Sequence, residues 1–143
     1  EVDHHEVDGA DLVLMHAALR APELVTIDEV VDAFGISRNH LVKVVHALGG
    51  NGFLATRRGI GGGFTLALPT ENIVLGKVVR LTEADETVID CKDRNDKPCQ
   101  IFPACRLKGV LDEAASAFFA VLDNYSLNDL VKRSSEMKKL LKI

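Results

Sequence analysis

Two helical patterns separated only by Gly35-Ile36-Ser37 constrain this chain more than any other feature. Thr26-Ile27-Asp28-Glu29 has the form of a capping box, in which a hydroxyl and a carboxylate three residues on satisfy free N–H groups at a helix start. The helix begun there carries Val30, Val31, Ala33 and Phe34, and Gly35 stops it. Ser37 is then the N-cap of a helix from Arg38 to Leu48. Leu41, Val44, Val45 and Leu48 recur at i, i+3, i+4 and i+7, the stripe of a helix packed on one side. Arg38, Asn39, His40, Lys43 and His46 lie mostly off that stripe. An apolar back and a basic, hydrogen-bonding front on the second of two closely spaced helices is the helix-turn-helix pattern. Its second helix is the candidate reader of the major groove, with Arg38, Asn39 and His40 as base readers and Lys43 on phosphate.

A hairpin follows. Gly49-Gly50-Asn51-Gly52 ends the helix, and two strand-like runs, Phe53–Arg58 and Phe64–Leu68, flank Gly59-Ile60-Gly61-Gly62-Gly63. Behind a helix-turn-helix such a hairpin is a wing. Arg57 and Arg58 then stand where a wing meets phosphate or enters the minor groove. A nucleotide-binding loop is a weaker reading, because no Gly-Lys-Ser/Thr accompanies the glycines.

Charge supports the same face. The net charge of −4 argues against nucleic acid only when read globally. Residues 33–70 contain no Asp or Glu and hold Arg38, Lys43, Arg57 and Arg58, a local charge of +4 that leaves −8 for the rest. A basic stripe on an acidic chain is an electrostatic footprint for DNA, against the simpler reading of a solvated face.

The remaining patterns are helical. The opening, Glu1 to Asp8, has no clear period and no initiating methionine, so it reads as a frayed or non-native start despite His4 and His5. A helix is expected from Ala10 to Leu19, closed by Pro22, and another from about Leu75. Residues 106–123 carry the longest pattern, with Leu107, Val110, Leu111, Ala114, Ala117, Phe118, Val121 and Leu122 in a wide apolar stripe. A twin helix in a dimer would cover such a stripe, and so would an ordinary intramolecular core. Ser126 or Asn128 caps a last short helix through Leu141. The fold class is mainly α with a small β wing: a winged helix-turn-helix in 1–82, a metal-binding loop in 83–105, and a long dimerisation helix with a C-terminal helix in 106–143.

All three cysteines, Cys91, Cys99 and Cys105, fall within that loop beside Pro98 and Pro103. A polar, proline-bearing loop is a poor home for buried apolar cysteines and a good one for thiolates converging on a metal. Three cysteines cannot pair completely, which disfavours a disulfide framework and suits a reducing cytoplasm. No secretory signal or membrane-length apolar run is visible. Zinc ligands are usually two to four residues apart, whereas the intervals here are seven and five, which suits an iron–sulfur cluster better than zinc or a thiol switch. Three sulfurs are one short of the usual four, so a fourth ligand must come from elsewhere. Neither an electron carrier nor an enzyme fits: a carrier needs no helix-turn-helix, and no histidine follows His46 to assist a nucleophilic cysteine.

Gly-Ile-Ser-Arg-Asn-His-Leu-Val-Lys-Val-Val-His from Gly35, Arg-Arg-Gly-Ile-Gly-Gly-Gly-Phe from Arg57 and the run Cys91…Cys99…Cys105-Arg-Leu closely resemble a family of iron–sulfur winged-helix repressors. The resemblance spans about residues 8–131. It implies a homodimer joined through the helix after Cys105, binding a pseudo-palindromic operator, with a [4Fe–4S] or [2Fe–2S] cluster. The cysteine spacing resembles that of the nitric-oxide-sensing members, in which nitrosylation of the cluster releases DNA. The cluster-assembly regulators of the family differ in spacing and have a histidine near the third cysteine, absent here. In the nitric-oxide sensors an aspartate on the first helix is the proposed fourth ligand, reaching the cluster of the other subunit. Carried over, that residue is Asp8, whose other reading is an N-cap. The Leu-Arg expected shortly after it is Asp11-Leu12 here, which removes one basic contact.

Overall fold

The computed structural model describes residues 4–82 and 97–143, with side chains in the first helix from Gly9 onward. Seven α-helices and a two-stranded antiparallel hairpin make up the described residues. In chain order they are α1 (His4–Arg20), α2 (Ile27–Phe34), α3 (Arg38–Gly50), β1 (Leu54–Arg57), β2 (Gly63–Leu66), α4 (Leu75–Thr82), α5 (Leu107–Leu122), α6 (Leu127–Leu130) and α7 (Ser134–Leu141). A single 3-10 turn, Thr70–Asn72, links the wing to α4.

Helix α1 is the axis of the molecule. It packs against α3, α4, β2, α6 and α7. Ala10, Val13, Leu14 and Ala17 are its buried face, meeting Leu41 and Leu48 of α3, Phe64 of the wing, and Val78 of α4 in one core. Full burial of a Leu or Phe side chain stabilises by about 1.5–3 kcal/mol, so this seam dominates the fold. The helix starts at His4, six residues before the expected Ala10. Asp8 therefore lies inside α1 and is not its N-cap.

The helix-turn-helix forms as its sequence signals dictate. Thr26 Oγ1 accepts the N–H of Glu29 at 3.2 Å, Gly35 closes α2 at φ 68°, and Ser37 Oγ accepts the N–H of His40 at 3.5 Å. The capping box is only half made. Glu29 turns its carboxylate to α1 instead, placing Oε2 3.4 Å from His16 Nε2 and 3.5 Å from Arg20 Nε. His16 is buried, and its ring meets Phe34 edge-on at 5.9 Å. Leu41, Val44, Val45 and Leu48 are all buried, as their spacing requires.

In the wing, Leu54 pairs with Leu66 and Arg57 with Gly63. The strands are shorter than the apolar runs. Phe64 also exchanges backbone hydrogen bonds with Val25, at 2.9 and 2.8 Å, which stitches the wing to the segment before α2.

The C-terminal part returns to the core. The Leu127 N–H donates to Ile73 O at 2.8 Å, and the Leu75 N–H to Tyr125 O at 2.9 Å. Ser126 caps α6, its N–H donating to the Asp129 carboxylate at 2.8 Å, and that bond holds the Asp129 carboxyl below its ordinary range. The expected single last helix is therefore two, α6 and α7, with a break at residues 131–133.

Helix α5 is fastened to α4 by a bidentate pair. Arg80 Nη1 and Nη2 donate to Asp123 Oδ1 and Oδ2 at 2.6 and 3.0 Å, and the guanidinium lies 4.8 Å from the Phe119 ring centroid. The hydrogen bonds from Arg80 hold the Asp123 carboxyl below its ordinary 3.8. A carboxyl lowered on folding stabilises the fold above its unfolded pKa and loses that contribution as pH falls through the folded one. The Asp123→Asn variant is accordingly expected to melt lower than the parent near neutrality, with the gap narrowing as pH falls below 3.8. Melting temperature against pH checks this.

Candidate nucleic-acid interface and metal-binding loop

Helix α3 presents one open face. Arg38, Asn39, Val42, Lys43 and His46 are all exposed and lie at i, i+1, i+4, i+5 and i+8, opposite the buried stripe. Arg38 is held in advance: its Nε donates to Asp28 Oδ1 of α2 at 3.0 Å. Both partners are well exposed, and a pair of that kind contributes little, so phosphate or a base edge can replace the aspartate at small cost.

His40 departs from the expected arrangement. Its ring points inward to α1, where Nε2 is buried without a hydrogen-bond partner. A Cβ built on Gly9 would come within 3.2 Å of that nitrogen. With its ring tip held there, His40 packs α3 onto α1. Val42, an apolar side chain amid this polar face, went unnoticed in the sequence. Its spacing of four from Arg38 was the available signal.

Arg57 and Arg58 are both exposed at the end of β1 and the start of the wing turn. They belong with α3 to the acid-free stretch 33–70, and β1 packs on α3, so these groups add cationic and hydrogen-bonding character beside that helix. Arg57, Arg58 and Lys43 match phosphate, and Arg38, Asn39 and Val42 can meet base edges.

Of the four candidate metal ligands, Cys91 lies outside the described residues, and Asp8 is placed on α1 by its backbone alone. Cys99 is an exposed thiol and Cys105 a half-buried one. Backbone hydrogen bonds shape the turn between them: Phe102 N–H to Cys99 O at 3.0 Å, and Cys105 N–H to Ile101 O at 2.9 Å. Cys105 Sγ accepts the N–H of Leu107, the first residue of α5, at 3.4 Å. Among the described residues no three His, Cys, Asp or Glu side chains converge on one metal position. The donors that are described nonetheless fit an iron–sulfur group. They are free sulfurs on a tight turn, one of them hydrogen-bonded at a helix start, and such bonds to sulfur tune a cluster.

Beyond Cys105, α5 bears an open apolar seam. Leu107, Val110, Phe118 and Val121 are 52, 54, 53 and 57% exposed, while Phe119 on the opposite side is buried. With the exposed Ala114 between Val110 and Phe118, the seam recurs at intervals of three and four, the spacing at which two helices pack side by side. Among the described residues no helix is long and apolar enough to cross a membrane.

Comparison with known proteins agrees with this geometry. The chain is 46% identical over 132 residues to the HTH-type transcriptional regulator NsrR of Bacillus subtilis, covering 92% of this chain and 90% of that protein. It is 41% identical over 130 residues to NsrR of Shouchella clausii, covering 90% and 87%. Among solved structures, T. potens IscR superposes with a TM-score of 0.70 at 21% identity, covering 96% of this chain and 90% of that one. Staphylococcus aureus CymR gives 0.68 at 21%, covering 89% and 95%. These two likenesses establish the winged-helix fold. Residues 5–133 match the Rrf2 family, described as iron-dependent transcriptional regulators. The chain belongs to the Rrf2 family and is a DNA-binding transcriptional regulator, not an enzyme.

Proposed function

We propose that the chain is a homodimeric repressor that holds an iron–sulfur cluster on Cys91, Cys99 and Cys105 and releases operator DNA when nitric oxide attacks that cluster. One observation carries the reading. Cys105 Sγ is bonded to the backbone of Leu107, and Leu107 is also the first residue of the exposed seam on α5. Ligand and dimer seam thus share one helix start. When bound, the cluster supplies iron open to a diatomic ligand. Asp8 of the partner subunit is the proposed fourth ligand, an oxygen completing three sulfurs.

The chain's own residues supply the link to DNA. A shift at Cys105 moves the start of α5. The Arg80–Asp123 pair hands that movement to α4, which packs on α1, and α1 seats the recognition helix through Gly9 and His40. Two recognition helices dock together only when their separation matches one turn of DNA, about 34–36 Å, so a small rotation of either subunit breaks simultaneous docking. Arg38, Asn39 and Val42 read bases, with His40 positioning them from behind. Lys43, Arg57 and Arg58 bind the backbone.

Anaerobic purification followed by iron, sulfide and zinc analysis tests the cofactor. Iron and sulfide bound together support it; a colourless protein with stoichiometric zinc overturns it. For the DNA face, Arg57→Ala is expected to weaken binding to all sequences alike and to reduce the slope of log Kobs against log salt by about one per protomer. A salt titration of binding reads this directly, and an unchanged slope removes Arg57 from the interface.

A further inference from the structure

The starts of α2 and α3 are tied together by one acid and one base. Thr26 caps α2, Ser37 caps α3, and Gly35, at φ +68°, turns the chain between them. Asp28, in the first turn of α2, is thereby brought to Arg38, the first residue of α3. The bond of 3.0 Å runs from Arg38 Nε to Asp28 Oδ1, so it occupies the inner nitrogen of the guanidinium. Among the described residues no hydrogen bond engages the terminal Nη1 and Nη2. A planar fork held at one nitrogen keeps its two outer nitrogens for another acceptor.

An acid in this place is out of keeping with its surroundings. Residues 33–70 contain no Asp or Glu, yet Asp28 is bonded to an arginine on the exposed face of α3. A carboxylate close to DNA phosphates is repelled by them, so by charge alone Asp28 weakens binding. Its pair with Arg38 adds little stability, because both side chains are more than half exposed. Phosphate and base edge make different demands on such an arginine. A phosphate brings full negative charge, and must either displace Asp28 or share Arg38 with it against like-charge repulsion. The O6 and N7 of guanine are neutral acceptors spaced for two arginine nitrogens, and they do not require the carboxylate on Nε to leave. Once DNA excludes water from the pair, the lower local dielectric strengthens it.

We propose that Asp28 is a positioning residue for base reading. It keeps its bond to Arg38 Nε in the complex and steers that arginine from phosphate to a guanine edge, which raises specificity while lowering non-specific affinity. This rests on the reading that α3 enters the major groove, and it gives a role to a residue of α2 that acts on DNA only through Arg38.

The test uses the cluster-loaded wild-type protein, a labelled duplex that it selects from a randomised pool, and a scrambled duplex of equal length and composition. Asp28 is largely exposed, so its variants should fold. Asp28→Asn is expected to weaken binding to the selected duplex about tenfold, part of the discrimination that an arginine–guanine pair supplies at two half-sites. Binding to the scrambled duplex should tighten about two- to threefold, because a carboxylate has left a surface that faces phosphate. Each guanine of the selected duplex is then exchanged in turn for 7-deazaguanine, which lacks the N7 acceptor. One guanine per half-site should matter to the wild type and not to Arg38→Ala, and its penalty should shrink in Asp28→Asn. Asp28→Glu keeps the carboxylate and should restore most of the selectivity. An aspartate that only stabilised the first turn of α2 would shift binding to both duplexes in the same direction. That result, or Asp28→Asn binding the selected duplex within twofold of wild type, would overturn the assignment. So would wild-type binding that is indifferent to 7-deazaguanine at every position. Failure of the wild-type protein to select any duplex would instead overturn DNA binding by α3, and the role of Asp28 with it.

Discussion

The Phe118→Glu variant is expected to elute as a monomer and to lose operator binding. Phe118 lies on the open seam of α5, more than half exposed, with Val110 about two turns before it and Val121 about one turn after. If two copies of α5 pack along this seam, the substitution buries a pair of carboxylates among apolar side chains with no cation on the seam to meet them. Burying an unpaired charge costs several kcal/mol, more than a seam of this length can absorb. The variant should still fold, because the core around α1 does not include Phe118. Its far-UV circular dichroism and melting transition should therefore stay near those of the parent. DNA binding should fall much further than stability. A dimer engages two half-sites at once, and losing the second contact costs about 10²–10⁴ in affinity. Light scattering on the eluted peak and anisotropy with labelled operator read the two effects separately. A dimer that persists in Phe118→Glu would mean that the subunits join elsewhere.

Cys105→Ser is expected to remove the cluster and with it most of the operator affinity, while leaving the protein dimeric. The substitution deletes one proposed sulfur ligand and the N–H···S contact to Leu107, replacing a soft donor by a hydroxyl. Couplings between a ligand site and a distant binding face typically amount to about 5–150-fold in affinity. A loss in that range is the expected result, measured anaerobically against the parent on the same duplex. Cys99→Ser should behave alike if both sulfurs serve one group, as proposed. The α5 seam is untouched in either variant, so the dimer should survive. That pattern separates a cysteine acting through the cluster from one that merely supports the fold.

Much of this molecule is legible in its residues, and the limits have physical causes. The helix-turn-helix could be read because its signals are local: a threonine cap, a glycine stop, a serine cap and a one-sided stripe each act within one or two turns. The seam of α5 could be read for the same reason, although its exposure could not, because periodicity is blind to which neighbour covers a face. Contacts between distant residues were hidden. Arg80 and Asp123 are 43 positions apart. Glu29 satisfied the capping pattern yet placed its carboxylate beside His16 and Arg20, residues of another helix that a local pattern does not see. His40 carried a polar side chain on the expected reading face, and the side-chain-free Gly9, distant in sequence, leaves room for its ring against α1 instead. The long start of α1 was missed because residues 4–9 have no apolar period to announce a helix. As for the candidate site, the clustering of the cysteines was plain in the sequence, and the hydrogen bond that ties Cys105 to α5 was not.

The central claim is that cluster chemistry and DNA binding are one coupled event in this chain. Its most direct test is a nitric oxide titration of the anaerobically isolated protein bound to labelled operator, with visible absorbance and anisotropy recorded in the same cuvette. The predicted result is a coloured protein whose cluster absorbance and DNA binding fall together over the same additions of nitric oxide. Absorbance that changes while the operator stays bound, or a colourless protein that binds equally well before and after nitric oxide, would contradict it.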